Sequence, residues 1–159
     1  MDAPVMRSLP QSIEAEQSVI GSMIIDKSAI AQVAEKLTED DFYRDGHKII
    51  YKSIFEMFKN DMAVDLVTLL EYLKSTDQLE KAGGVTYITE VSSSVPTTAN
   101  LSSYIKIVEE KSILRRLIKA STAIIEDSYN NQGEVEGFLD LSEKKIFDIA
   151  DKWIYIDFL

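Results

Sequence analysis

"NLSSYIKIVEEKSILRRLIKASTAIIEDSY", residues 100–129, reads as one long helical stretch, and the way its apolar residues are arranged decides the fold. At about 100° per residue, Leu101, Tyr104, Ile105 and Val108 share one face. Leu114, Leu117, Ile118, Ser121 and Ile125 gather on another, turned well away from the first. A helix with two differently directed stripes packs against two things. The natural pair is a globular head at its start and a returning helix at its end. The turn-rich "NNQG" (130–133) leads into a second helical stretch, 134–152, and so short a loop between long helices implies an antiparallel hairpin. On the returning helix Val135, Phe138, Leu139, Ser142, Ile146, Ile149, Ala150 and Trp153 form a broad stripe, while Leu141 and Phe147 fall outside it. Large apolar residues on the wrong side of a two-helix hairpin suggest a further partner, most simply another copy of the chain.

Upstream, "SVPTTAN" (94–100) is the clearest boundary, and the residues before it read as a set of shorter helices with no strand. Ser12 caps a helix over 12–25, and 26–37 carries Ile30, Val33, Ala34 and Leu37 at helical spacing. A third helix starts near Asp45. A fourth, 64–75, is capped by Asp65 and buries Leu66, Leu69, Leu70 and Leu73. "AGG" (82–84) is a turn, and 85–94 is a short helix despite its β-branched residues. The expected architecture is all-α: a flexible arm (1–11), a compact multi-helix head (12–95), a long antiparallel hairpin (100–152) and a tail (153–159).

Composition narrows the function. Of the 159 residues 45% are hydrophobic and 28% charged, as in globular domains. The net charge of −10 argues against a phosphate-backbone grip by this chain alone and favours basic or amphipathic protein partners. With no cysteine and a single histidine, disulfide frameworks and Cys/His zinc sites are excluded. There is no run of about 18 apolar residues and no apolar leader, so the expected location is the cytoplasm, away from membranes.

Glu14 and Glu16 invite a reading as a catalytic pair, but two residues on a helix separate them by about 200°. Glu14 lies on the polar side, where the helix dipole favours an acid. Glu16 sits within the stripe of Ile13, Val19, Ile20, Met23 and Ile24, so it reads as a buried structural anchor that accepts from free first-turn N–H groups or pairs with a cation. His47 lies on the apolar face of its helix and reads as a packed side chain with one hydrogen bond. Glu39, Asp40 and Asp41 lack the alternation and glycine of a calcium loop and read as a solvated lead-in to a helix. Arg115 and Arg116 read as partners of nearby carboxylates. No phosphate-binding loop, dinucleotide fingerprint or nucleophile elbow is present, so no catalytic, cofactor-binding or metal residue is assigned.

Six segments taken in order, "IEAEQSVIGSMIID", "DDFYRDGHKIIYKSIFEM", "VDLVTLLEYL", "AGGVTYITEV", "TTANLSSYIKIVEEKSILRRLI" and "LDLSEKKIFDIAD", resemble the N-terminal domain of the bacterial replicative DNA helicase, the DnaB family, over residues 9–152. The resemblance implies a collar on a homohexameric ring, in which hairpins pair between neighbours. It also implies docking of the primase C-terminal domain and communication with a helicase loader. ATP, magnesium and the main DNA grip would belong to a C-terminal ATPase domain that this fragment lacks, so the fragment itself would not be an enzyme. Within this reading Leu114, Leu117, Leu141 and Phe147 are the expected hairpin or interface residues, and Glu16 the anchor. Alternatives are a stand-alone helical adaptor with a related domain and a small hydrolase using scattered carboxylates. The tail "DKWIYIDFL" departs from the family's polar linker, as a scar of truncation or as a real edge of the chain.

Overall fold

Helix caps set the frame. The structure, a computed structural model, describes residues 8–95 and 97–158, with the side chains of the last helix described as far as Asp151. Residues 1–7 of the expected arm and the side chains of the tail 153–159 lie outside the described residues. The Ser12 hydroxyl accepts the Ala15 N–H at 3.2 Å and opens α1 (Ile13–Ile25). Asp26 both ends that helix and begins the next. Its own N–H bonds the Ser22 carbonyl, while its carboxylate accepts from the N–H and hydroxyl of Ser28 at the start of α2 (Lys27–Lys36). A 3-10 turn (Glu39–Asp41) leads to α3 (Asp45–Lys59). Asp65 and Thr68 exchange reciprocal hydrogen bonds at the start of α4 (Leu66–Ser75).

The turn before α5 (Gly84–Ser93) requires its glycines. Gly83 has φ +120°, and a Cβ there would stand 2.7 Å from the Tyr87 ring. α6 (Leu101–Asn130) and α7 (Val135–Phe158) complete the chain, which contains no strand among the described residues.

The residues divide into two compact units. One comprises Gln11–Ser112, α1 to α5 with the first three turns of α6. In it α1 is central and packs against α2, α3, α4 and α5. Its Val19, Ile20 and Met23 are fully buried with Ile30, Phe42, Ile50, Ile54, Leu69, Leu73 and Ile88. Leu101, Ile105 and Val108 of α6 join this core and Tyr104 packs against it. α1 and α5 approach closely at Gly21, where a Cβ would meet the Val91 carbonyl oxygen at 2.7 Å.

The other unit contains residues 113–158 with Pro10 and its neighbours. Within it the rest of α6 and α7 form the hairpin, linked by an ion pair at 3.3 Å from Lys145 to Asp127. The Arg115 guanidinium donates to the Pro10 carbonyl at 2.8 Å.

Candidate interaction surface and a buried polar clamp

Among its described residues the hairpin unit has no core of its own. Not one described residue from 113 to 151 is buried; Ile113, Ala120, Ser121, Ala123, Ile124, Phe138, Ser142 and Ile149 are half-covered, as are Arg115 and Arg116. Leu114 and Leu117 remain 44% and 38% exposed, and Ile118 and Ile125 are also exposed, so the returning helix leaves that stripe uncovered. The reason is geometric, since one antiparallel neighbour covers only one side of a helix. Half-covered Ile124 lies beside Ile146 and Phe147.

Leu141 and Phe147 are 63% and 64% exposed, and they do not come together. Phe147 edges a shallow apolar groove with Ile124 and Ile146, whereas Leu141 edges a second groove with Phe138 and the 130–132 loop. Val135, Leu139 and Tyr129 add further exposed apolar area. Exposed apolar surface on this scale, on a hairpin too thin to bury it, is a candidate protein-binding face.

Glu16 has a different task. Its side chain is buried, and it accepts the Tyr43 N–H at 2.8 Å, His47 Nδ1–H at 2.8 Å and, more distantly, the Arg44 N–H at 3.4 Å. The backbone donors belong to the lead-in of α3 and not to the first turn of α1. A carboxylate from one helix thus sits at the positive end of another, where the dipole favours it. His47 is fully buried and has two partners, one more than its sequence context suggests, because its Nε2 lies 2.6 Å from the Tyr87 hydroxyl. That oxygen also accepts from Gln17 Nε2 and Arg44 Nη1, each at 3.0 Å. Both its lone pairs are therefore engaged, and its own proton goes to His47 Nε2. The hydrogen-bond inventory places the imidazole proton on Nδ1, facing Glu16. The cluster clamps α1, α3 and α5 together. Three donors occupy the Glu16 carboxylate, which leaves it no role as a free catalytic base. Glu14 points to solvent.

Sequence reading misses two members of this polar framework. Tyr87 meets His47 across 40 residues, with no local pattern to announce it. Asp41 is buried and not solvated: it accepts the Thr38 N–H and the Ser112 hydroxyl, each at 2.7 Å, tying the 3-10 turn to α6. Its acidic neighbours disguise it, because a run of three carboxylates looks uniformly exposed. Beside it, Tyr51 donates to the Leu37 carbonyl at 2.7 Å. Burial, reinforced by the charges of Asp41 and Glu39, pushes the Tyr51 phenol up to about 12. Among the described residues no group of three or more His, Cys, Asp or Glu could hold a metal ion, and no helix is long and apolar enough to cross a membrane.

The head is locked by internal hydrogen bonds, and the hairpin that continues it displays its apolar side chains. The chain belongs to the DnaB-like helicase N-terminal domain family, whose model matches residues 8–110. It is 47% identical over 143 residues to the replicative DNA helicase DnaC of Bacillus subtilis (strain 168), covering 90% of this chain and 32% of that protein. It is 42% identical to the replicative DNA helicase DnaB of Geobacillus stearothermophilus, with the same coverage. The chain thus spans about a third of the length of these curated relatives. Its fold matches the crystal structure of the N-terminal domain of DnaB helicase from Mycobacterium tuberculosis with a TM-score of 0.83 at 37% identity, over 89% of this chain and 99% of that one. A DnaB-like replicative helicase, described with its interactions with primase, shares the fold at a TM-score of 0.69 and 24% identity, over 85% of this chain and 31% of its own.

Proposed function

We propose that this chain works as the N-terminal collar of a hexameric replicative DNA helicase, joining subunits through its hairpin and offering the assembled surface to the C-terminal domain of primase and to a helicase loader. The observation that carries this reading is the hairpin without a core. Its exposed Leu114, Leu117, Leu141 and Phe147 are stable in water only at a cost that association removes. The family membership supports the helicase setting, and the relative described with primase supports the choice of that partner. ATP hydrolysis with magnesium, strand movement and the principal DNA contacts fall to the portion of the relatives beyond the matched third. The acidic charge of −10 agrees with a module that meets proteins and leaves nucleic acid to another part. A role in replication supports a cytoplasmic location.

Two measurements test the proposal. Sedimentation across a range of concentrations is expected to show self-association, and a strict monomer at high concentration would overturn the collar reading. Titration with a primase C-terminal domain is expected to give saturable binding, weakened by polar substitutions on the hairpin or on the head's exposed face. No binding by an associated wild-type chain would remove primase as the partner.

A further inference from the structure

We infer that the outer face of α3 docks a short acidic segment of a partner protein, whose carboxylates meet Lys48, Lys52 and Lys59 while an apolar side chain of the segment rests on Phe55. At about 100° per residue these four side chains fall within an arc of about 60°, and they run about 16 Å along the helix. In a chain with 27 acidic and 17 basic residues, such a stripe is out of keeping with the rest of the sequence. Little within the chain neutralises it. Lys52 and Lys59 are exposed and make no ion pair with a carboxylate among the described residues. Lys48 reaches Asp45 only at 3.9 Å, and the Asp45 side chain stands almost wholly in water, where a pair contributes little. Glu56, the other acid of α3, is turned about 100° from Phe55. It accepts from the Tyr72 hydroxyl at 2.9 Å.

Phe55 makes the stripe more than a solvated edge. It is 36% exposed, and its ring stacks on that of Tyr51 with centroids 6.3 Å apart and planes 2° apart. Tyr51 is itself buried, packs against the Phe42 ring at 5.3 Å and donates to the Leu37 carbonyl. The exposed ring therefore ends a row of three aromatic side chains fixed by the core, and so fixed an anchor loses little side-chain freedom when something binds. Alone it is too small for the dry centre of a protein interface. With ammonium groups about one and two turns before it and one turn after it, the ring matches a segment whose carboxylates surround an apolar residue.

The ends of the stripe select a peptide over a nucleic-acid strand. Asp45 stands at the start of α3 and Asp61 just past its end, both exposed. Exposed charges are screened beyond about 8 Å at physiological salt, so the positive patch reaches little farther than its own lysines. A strand carries a phosphate at every nucleotide and would run off the patch into the surface of a chain with net charge −10. A few carboxylates grouped about one apolar residue fit within it.

Fluorescence anisotropy of the whole chain tests this, with a short labelled peptide of Asp and Glu around one central Phe, and labelled oligothymidylate as the alternative ligand. Saturable peptide binding is expected, tighter than that of the oligonucleotide and weaker as salt rises. The double reversal K52E/K59E, at two exposed positions, should weaken it by about tenfold or more, with helicity verified by far-UV circular dichroism. Exchanging the peptide's Phe for Ala should weaken binding to the wild-type chain, and F55A should remove that difference. No saturable peptide binding, or binding that K52E/K59E leaves unchanged, overturns the inference. Tighter binding of oligothymidylate than of the peptide overturns it in favour of a nucleic-acid strand. Loss of self-association by K52E/K59E, with no peptide bound by the wild type, overturns it in favour of a second copy. The collar reading stands or falls separately, by the sedimentation of the wild-type chain.

Discussion

Replacing Glu16 by Gln isolates the charge of the polar clamp while keeping its shape. The carboxylate receives two short hydrogen bonds, from Tyr43 N–H and His47 Nδ1–H, and one longer bond from Arg44 N–H. An amide offers one acceptor oxygen in place of two, and its nitrogen can only donate. Either Tyr43 N–H or His47 Nδ1–H then faces a donor. The imidazole could escape by moving its proton to Nε2, but it would meet a Tyr87 oxygen already accepting from Gln17 and Arg44. One buried donor is therefore stranded, at about 1–3 kcal/mol. Glu16→Ala strands both short-bond donors and opens a cavity, at about 2–5 kcal/mol, a large share of the roughly 5–15 kcal/mol that holds a domain together. Urea unfolding followed through the near-UV signal of the head's tyrosines is the assay. With a slope of about 1–3 kcal/mol per molar, the Glu16→Gln midpoint should fall by about 1 M. Glu14→Gln, exposed on the same helix, should stay within about 0.5 kcal/mol of wild type. Equal midpoints for Glu16→Gln and Glu14→Gln would refute the clamp.

Gly21→Ala should destabilise the head by about 1–3 kcal/mol, because its Cβ would sit 2.6 Å from Val95 Cγ2 and 2.7 Å from the Val91 carbonyl oxygen; thermal unfolding checks this. Tyr51 should make the head sensitive to alkali. Its folded value of about 12 exceeds the ordinary 10.0, so its contribution is complete below about pH 10 and is lost as the pH rises toward 12. Tyr51→Phe should flatten that part of the stability profile, though it forfeits a hydrogen bond worth about 0.5–1.5 kcal/mol. Phe147→Glu and Leu114→Glu should change monomer stability by no more than about 0.5 kcal/mol, since both side chains are exposed, yet weaken self-association in sedimentation.

Much of the head is legible because its helices carry their own boundaries. Ser12 and Asp65 cap where their chemistry suggests, and the stripe of Val19, Ile20 and Met23 places Glu16 inside before any coordinates are seen. α5 is harder, because its Val, Thr and Ile residues favour strand locally and adopt helix when Ile88 and Val91 are drawn into the core. The donors to Glu16 escape sequence reading for another reason. Two of the three are backbone groups 27 and 28 residues away, brought close by how α1 packs on α3, and no side-chain pattern encodes a backbone N–H. Asp41 and Ser112, 71 residues apart, show the same limit. The hairpin's apolar positions are visible in the sequence, but which of them α7 covers depends on the rotation of two packed helices. Periodicity gives that only to within a residue or two.

The hairpin without a core makes part of this molecule's order a matter of mass action. The head keeps its protection from solvent exchange at any dilution, because its buried residues are its own. If the hairpin associates as proposed, its amides are protected to the extent that copies find one another, and their free energy of opening rises with the logarithm of chain concentration. A ring assembled as proposed would hold its collar helices firm while the ring lasts. On the proposed assembly, a released subunit would carry an intact head, while α7 and the part of α6 beyond Ser112 would fray, exposed to proteases until it is taken up again.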